Sequence, residues 1–68
     1  MTHKTIRTAT MEGSYGTEQA VVTVQTAGRW KGRFFTRGYG YAGRVAYQSE
    51  EVAARSIEAN RQFRGWAA

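Results

Sequence analysis

Residues 37–60 read RGYGYAGRVAYQSEEVAARSIEAN. The periodicity of this segment changes midway, and the place where it changes decides the architecture. Gly38, Gly40 and Gly43 fall close together, a density that suits a hairpin loop or an irregular strand. Residues 43–48 then alternate, with Val45 and Tyr47 on one side and Arg44 and Ala46 on the other. Ser49 has the character of a helix N-cap, whose hydroxyl accepts a bond from an unpaired first-turn amide. Glu50 and Glu51 follow, where negative charge suits the helix dipole. At about 100° per residue, Val52, Ala53, Ser56, Ala59, Asn60 and Phe63 share a face, with Ile57 at its edge. Glu51, Arg55, Glu58 and Gln62 oppose them, and Glu51 and Arg55 form an i,i+4 pair in the favourable order. Arg61 and Arg64 suit a last turn and Gly65 a C′ position, so the pattern predicts a helix over about 49–64.

One continuous strand through 37–47 would turn Val45 and Tyr47 to the same side as Arg37 and Tyr39. Val45 and Tyr47 are the natural contacts for the helix, so a turn between Gly38 and Gly43 is expected, joining two strands by a Gly/Tyr loop. Upstream, 4–11 is Thr-rich and extended. Residues 19–27 form the clearest strand, with Ala20, Val22, Val24 and Thr26 on one face and Val21, Thr23 and Gln25 on the other. Residues 29–37 alternate Trp30, Gly32, Phe34 and Thr36 against Lys31, Arg33, Phe35 and Arg37. GSYG (13–16) and AGRWKG (27–32) read as turns or strand breaks.

The expected fold class is α+β: a small antiparallel sheet of three to four strands packed on one C-terminal helix, in the order β-β-β-β-α. A single domain over 1–68 is expected, with 1–3 mobile. Val22, Val24, Trp30, Phe34, Val45, Tyr47, Val52, Ile57 and Phe63 form the expected core. Trp66 is expected to fold back over it, because a core this small needs the area.

The chain has 68 residues, no cysteine and no proline, 41% hydrophobic content and a net charge of +5. Cysteine cannot staple it by disulfide or thiolate metal site, so packing or oligomerisation must stabilise it. No apolar run reaches membrane-spanning length, and MTHKTIRTAT lacks the apolar core of a signal peptide; a cytoplasmic location is expected. All five acids are Glu, and none lies between Glu18 and Glu50. The block RWKGRFFTRGYGYAGR in that gap is basic with interleaved aromatics, the electrostatic footprint of a polyanion binder. His3 is the single histidine and there is no Asp, which leaves no triad and no metal cluster. No enzyme activity and no cofactor are expected.

Two family resemblances arise from these residues. RGYGY resembles the start of the aromatic strand motif of RNA-recognition domains, and VAYQSEEVAARSIEAN resembles the strand and second helix that follow there. That resemblance implies tyrosines at 39 and 41 stacking on unpaired bases. GRW at 28–30, a basic strand, a Gly loop, VAY and QSEEVAARSIEANRQFRG look like the three-stranded-sheet-plus-helix DNA-binding module of ethylene-response-type factors and phage integrase arm-binding domains. Tyr47, Ser49, Glu51, Ala53 and Ala54 match its order. It implies an open sheet face entering the major groove.

The expected function is a small nucleic-acid-binding module, with DNA ahead of RNA. Its site is Arg29, Lys31, Arg33, Phe35, Arg37, Tyr39, Tyr41 and Arg44. The alternative is a phage- or mobile-element-encoded inhibitor, anti-CRISPR-like, that binds a host protein complex through an Arg/Tyr/Trp surface. A structural oligomer or homodimer joined through strand edges is the third expectation.

Overall fold

The structure, a computed structural model, describes residues 2–67. Five strands and one helix follow in the order β1 (His3–Gly13), β2 (Gly16–Gln25), β3 (Phe34–Gly38), β4 (Tyr41–Ala42), α1 (Glu50–Glu58) and β5 (Phe63–Trp66). Every pairing is antiparallel, and the spatial order is β4-β3-β2-β1-β5. The α+β expectation holds, with one strand more than expected and that strand placed after the helix. The molecule is elongated along its strands, 36 × 23 × 21 Å.

β1 and β2 form one long hairpin closed by Gly13 opposite Gly16, and Tyr15 stands fully exposed at its tip. The ladder slips between Thr5 and Arg7, so Ile6 is the extra residue of a bulge. Beyond it, Ala9 and Met11 share a face with Ala20 and Val22, and α1 covers this face with Ala53, Ala54 and Ile57. Alanines on both sides let the helix approach the sheet closely. Met11, Val22 and Ile57 are fully buried between them, each contributing about 1.5–3 kcal/mol by leaving water. Ile6, Phe34, Tyr39, Tyr41, Tyr47, Phe63 and Trp66 pack around this centre.

Ser49 caps α1 as expected: its extended backbone starts the helix and its Oγ accepts the Val52 N–H at 3.2 Å. The helix ends at Glu58, however, and not near 64. Asn60 stops it, accepting the Gln62 N–H on Oδ1 at 2.9 Å and the Phe63 N–H on its carbonyl at 3.0 Å. Such side-chain-to-backbone bonds compete directly with helix continuation. Phe63 and Trp66 then reach the same core from β5, opposite Met11 and Ala9. The helical spacing of Phe63 was therefore coincident with a strand position.

Two of the expected strands are also redrawn. Residues 29–33 form turns, and β3 starts only at Phe34. Residues 43–48 hold a single bridge, in which Tyr47 and Phe34 exchange N–H···O bonds of 2.8 and 3.0 Å. Trp30, Val45 and Val52, expected in the core, are 48%, 55% and 47% exposed. Trp30 leaves the core with the strand that was to carry it. Val52 faces out because α1 turns Ala53, Ala54 and Ile57 inward. Of the 1–3 segment, Met1 lies outside the described residues, Thr2 O accepts the Thr26 N–H at 2.7 Å, and His3 opposes Gln25.

Candidate functional site

The basic block divides between a loop and a sheet edge. The loop, 26–33, is made of two hydrogen-bonded turns. The Lys31 N–H donates to Gly28 O at 3.3 Å, and the Arg33 N–H to Trp30 O at 2.9 Å. Gly32 has φ +86°, the left-handed value a type II turn needs at its third position. The base is closed by Gly32 N–H to Gln25 O and Gln25 N–H to Arg33 O, both 2.9 Å. Arg29, Trp30 and Lys31 are exposed on this loop, and the Arg29 guanidinium carbon lies 5.5 Å from the Trp30 ring centroid.

From Arg33 the chain enters β3, whose Phe35 and Arg37 face away from the helix, opposite Thr23 and Val21. Phe35 is only 7% exposed. The Arg37 guanidinium sits 5.6 Å from its ring centroid and its Nε–H donates to Thr23 Oγ1 at 3.4 Å. The long Arg37 stem thus covers the ring, and Phe35 is a packing residue where an exposed contact residue was expected. Arg37 also lies against Gly43, whose position beside Arg44 carries the basic strip onto the β4 edge. Arg44 itself is exposed.

Tyr39 and Tyr41 are likewise drawn inward. Tyr39 and Gly40 both have positive φ, 49° and 86°, the hallmark of the two-residue type I′ hairpin. Tyr39 packs at the core margin and its hydroxyl donates to Glu12 O at 2.8 Å. The Tyr41 hydroxyl donates to Ser56 O and accepts from Asn60 Nδ2–H, both at 3.3 Å. These rings tie the β3–β4 hairpin to β1 and α1, and neither stands free as a stacking platform. Within the basic block the aromatic that does stand free is Trp30, while Tyr15 is fully exposed at the β1–β2 tip. Periodicity assigned it to the core, although Gly28 and Gly32 around it were the signal of a loop.

Pairing of charges sharpens the picture. Among the described residues, Arg7 bonds Glu50, Arg64 bonds Glu12, and Arg55 lies 3.8 Å from Glu51. Glu58 accepts the Trp66 indole N–H at 2.7 Å. Lys4, Arg29, Lys31, Arg33, Arg37 and Arg44 have no carboxylate partner among the described residues, and neither does Arg61, which lies beyond the helix. The net positive charge of the chain therefore rests chiefly on the first six. They border the 26–33 loop, the adjoining start of β1 and the β3–β4 edge. Trp66 packs with Phe63 at 5.2 Å between ring centroids and under Arg7 at 5.3 Å. Among the described residues no metal-ligating cluster occurs and no helix is long and apolar enough to cross a membrane.

No protein-family model matches the chain, and neither curated proteins nor solved structures give a match.

Proposed function

We propose that the chain is a small nucleic-acid-binding module that engages phosphates with Lys4, Arg29, Lys31, Arg33, Arg37 and Arg44. The observation that carries this reading is the segregation of these cations, none with a carboxylate partner among the described residues, onto one loop and its adjoining edges. Guanidinium and ammonium groups without a carboxylate partner keep N–H donors for phosphate oxygens, although Arg37 already gives its Nε–H to Thr23. Along β2 the nearest acid, Glu18, lies seven residues from Gln25 at the loop, about 23 Å at strand rise, and three residues from Val21, opposite Arg37. The contact surface is the loop end and the β3–β4 edge. On the face away from the helix Thr23 and Phe35 are buried and Arg37 lies beside Thr8, Thr10 and Val21, so the broad major-groove platform implied by the integrase-type resemblance is narrowed to its basic rim.

Fluorescence anisotropy with labelled single-stranded and duplex nucleic acid across a salt series tests the proposal. Binding should weaken steeply with salt. Arg33→Ala and Lys31→Ala should each flatten the log–log slope on a single strand, by about 0.7 for each phosphate that the variant no longer neutralises. Unchanged affinity and slope in both variants would remove the assigned surface. A second reading, an inhibitor docking on a host protein, draws on Tyr15, fully exposed at the β1–β2 tip. Salt-resistant capture of a protein, abolished in Tyr15→Ala, would favour it.

A further inference from the structure

We infer that Trp30 is a stacking platform for an unpaired nucleobase, which makes single strands the preferred ligand of the basic loop. The inference rests on the nucleic-acid reading above and specifies its substrate class.

Trp30 occupies the corner of the first turn of the 26–33 loop, with Arg29 and Lys31 on either side in the chain. Nearly half of its surface, 48%, is open. The Arg29 guanidinium lies over the ring at 5.5 Å, at cation–π distance. This contact packs a cation on the indole, and the exposed part of the ring is what a flat ligand would use. A half-exposed tryptophan outside the hydrophobic core contributes less to folding than a buried one, whereas base–aromatic stacking adds about 1–3 kcal/mol per base to single-strand binding in a basic groove.

The loop is also built to hold the ring still. Two turn hydrogen bonds cross it, the Gln25 pairs close it, and Thr26 N–H is tied to Thr2 O at 2.7 Å. A pre-formed loop loses less conformational entropy on binding than a mobile one. The tie to Thr2 also sets the loop beside the β1 start, where Lys4 stands without a carboxylate partner among the described residues. A stacked base at Trp30 would thus have cations on both sides of it for its flanking phosphates: Arg29, Lys31 and Arg33 from the loop, Lys4 from β1. In a duplex the base faces are already stacked on one another and must be unstacked before a side chain can use them. The platform therefore discriminates against paired ligands, which would meet the cations alone.

The test uses the full chain with two probes: a labelled oligo(dT) of about 12 nucleotides, within the site size of small single-strand binders, and a dumbbell duplex closed at both ends by base-free ethylene glycol linkers, which offers no unpaired base. The wild type should prefer oligo(dT). Trp30→Ala should weaken oligo(dT) binding by about 5- to 150-fold, the range for removing one base stack, with an unchanged salt slope. Its affinity for the dumbbell should stay as in the wild type, and Trp30→Phe should retain most of the oligo(dT) affinity. Far-UV circular dichroism of both variants should match the wild type. Unchanged oligo(dT) affinity in Trp30→Ala, alongside weaker binding in Arg33→Ala, overturns the stacking role and leaves the cationic site standing. Equal weakening on oligo(dT) and dumbbell overturns it too, since it means that Trp30 merely shapes the loop. No binding of either probe by the wild type at low salt removes both the stacking role and the nucleic-acid reading.

Discussion

Gly38 and Gly40 sit one residue apart and look interchangeable in sequence, yet replacing each by alanine should have very different consequences. Both have left-handed φ, +82° and +86°, which costs an L-residue about 1–2 kcal/mol. Both substitutions recover about 0.4–1 kcal/mol by restricting the unfolded chain. The difference is steric. A Cβ at Gly40 meets nothing within 4 Å, whereas at Gly38 it would stand 2.9 Å from the carbonyl oxygen of Gln19. That oxygen belongs to β2, so relief requires moving the backbone of the central strands, at the cost of overpacking, about 1–3 kcal/mol. Gly38→Ala should therefore lose about 1–4.6 kcal/mol and Gly40→Ala about 0–1.6 kcal/mol, the two differing by the steric cost of about 1–3 kcal/mol. A domain this size holds about 3–10 kcal/mol in all, so the first change consumes a large share of it. Thermal melts by circular dichroism should separate the two variants by at least about 4 °C. Coincident melts would mean that the close approach of the β3–β4 hairpin to Gln19 is not present in solution.

Two further changes probe the helix. Ile57→Ala removes a fully buried side chain between the helix and the sheet and should cost about 2–5 kcal/mol in urea denaturation; a cost below about 1 kcal/mol would mean that another face of the helix packs on the sheet. Ser49→Ala deletes the cap on the Val52 amide and should cost about 1 kcal/mol, with Ser49→Asp restoring it; equal stability of all three proteins would remove the cap.

The sequence made the helix start, the central strand and the Gly/Tyr turn legible because each has a local cause. Ser49 with Glu50 and Glu51 forms a cap and an acidic first turn, and the Val22/Val24 alternation marks a half-buried strand. What was illegible depended on competition between local signals. The alternation around Trp30 pointed to a strand, but Gly28 and Gly32 both take positive φ and fold the same residues into turns. Phe63 fitted the helical face, but the Asn60 side chain captures the Gln62 amide and releases Phe63 to β5. The site was partly legible for a similar reason. Charge is a property of composition, so the basic block was visible in the chain. Which aromatic of the basic block stands free is a property of tertiary packing, and it exchanged Phe35, Tyr39 and Tyr41 for Trp30.

The uneven placement of charge along the long axis also has a kinetic side. Near the β1–β2 tip, Glu12 is matched by Arg64 and Glu18 is offset by Arg61, whose neighbour Gln62 accepts the Glu12 N–H, while the excess positive charge sits toward the other end. Over a length of 36 Å, several times the Debye length of about 8 Å at physiological salt, the two ends are felt separately by a charged body. A polyanion approaching by diffusion exerts a torque that turns the loop end toward it before contact, and the hairpin tip is left trailing. Orientation of this kind relaxes the angular search that ordinarily slows protein association, and it fades as salt shortens the reach of the field.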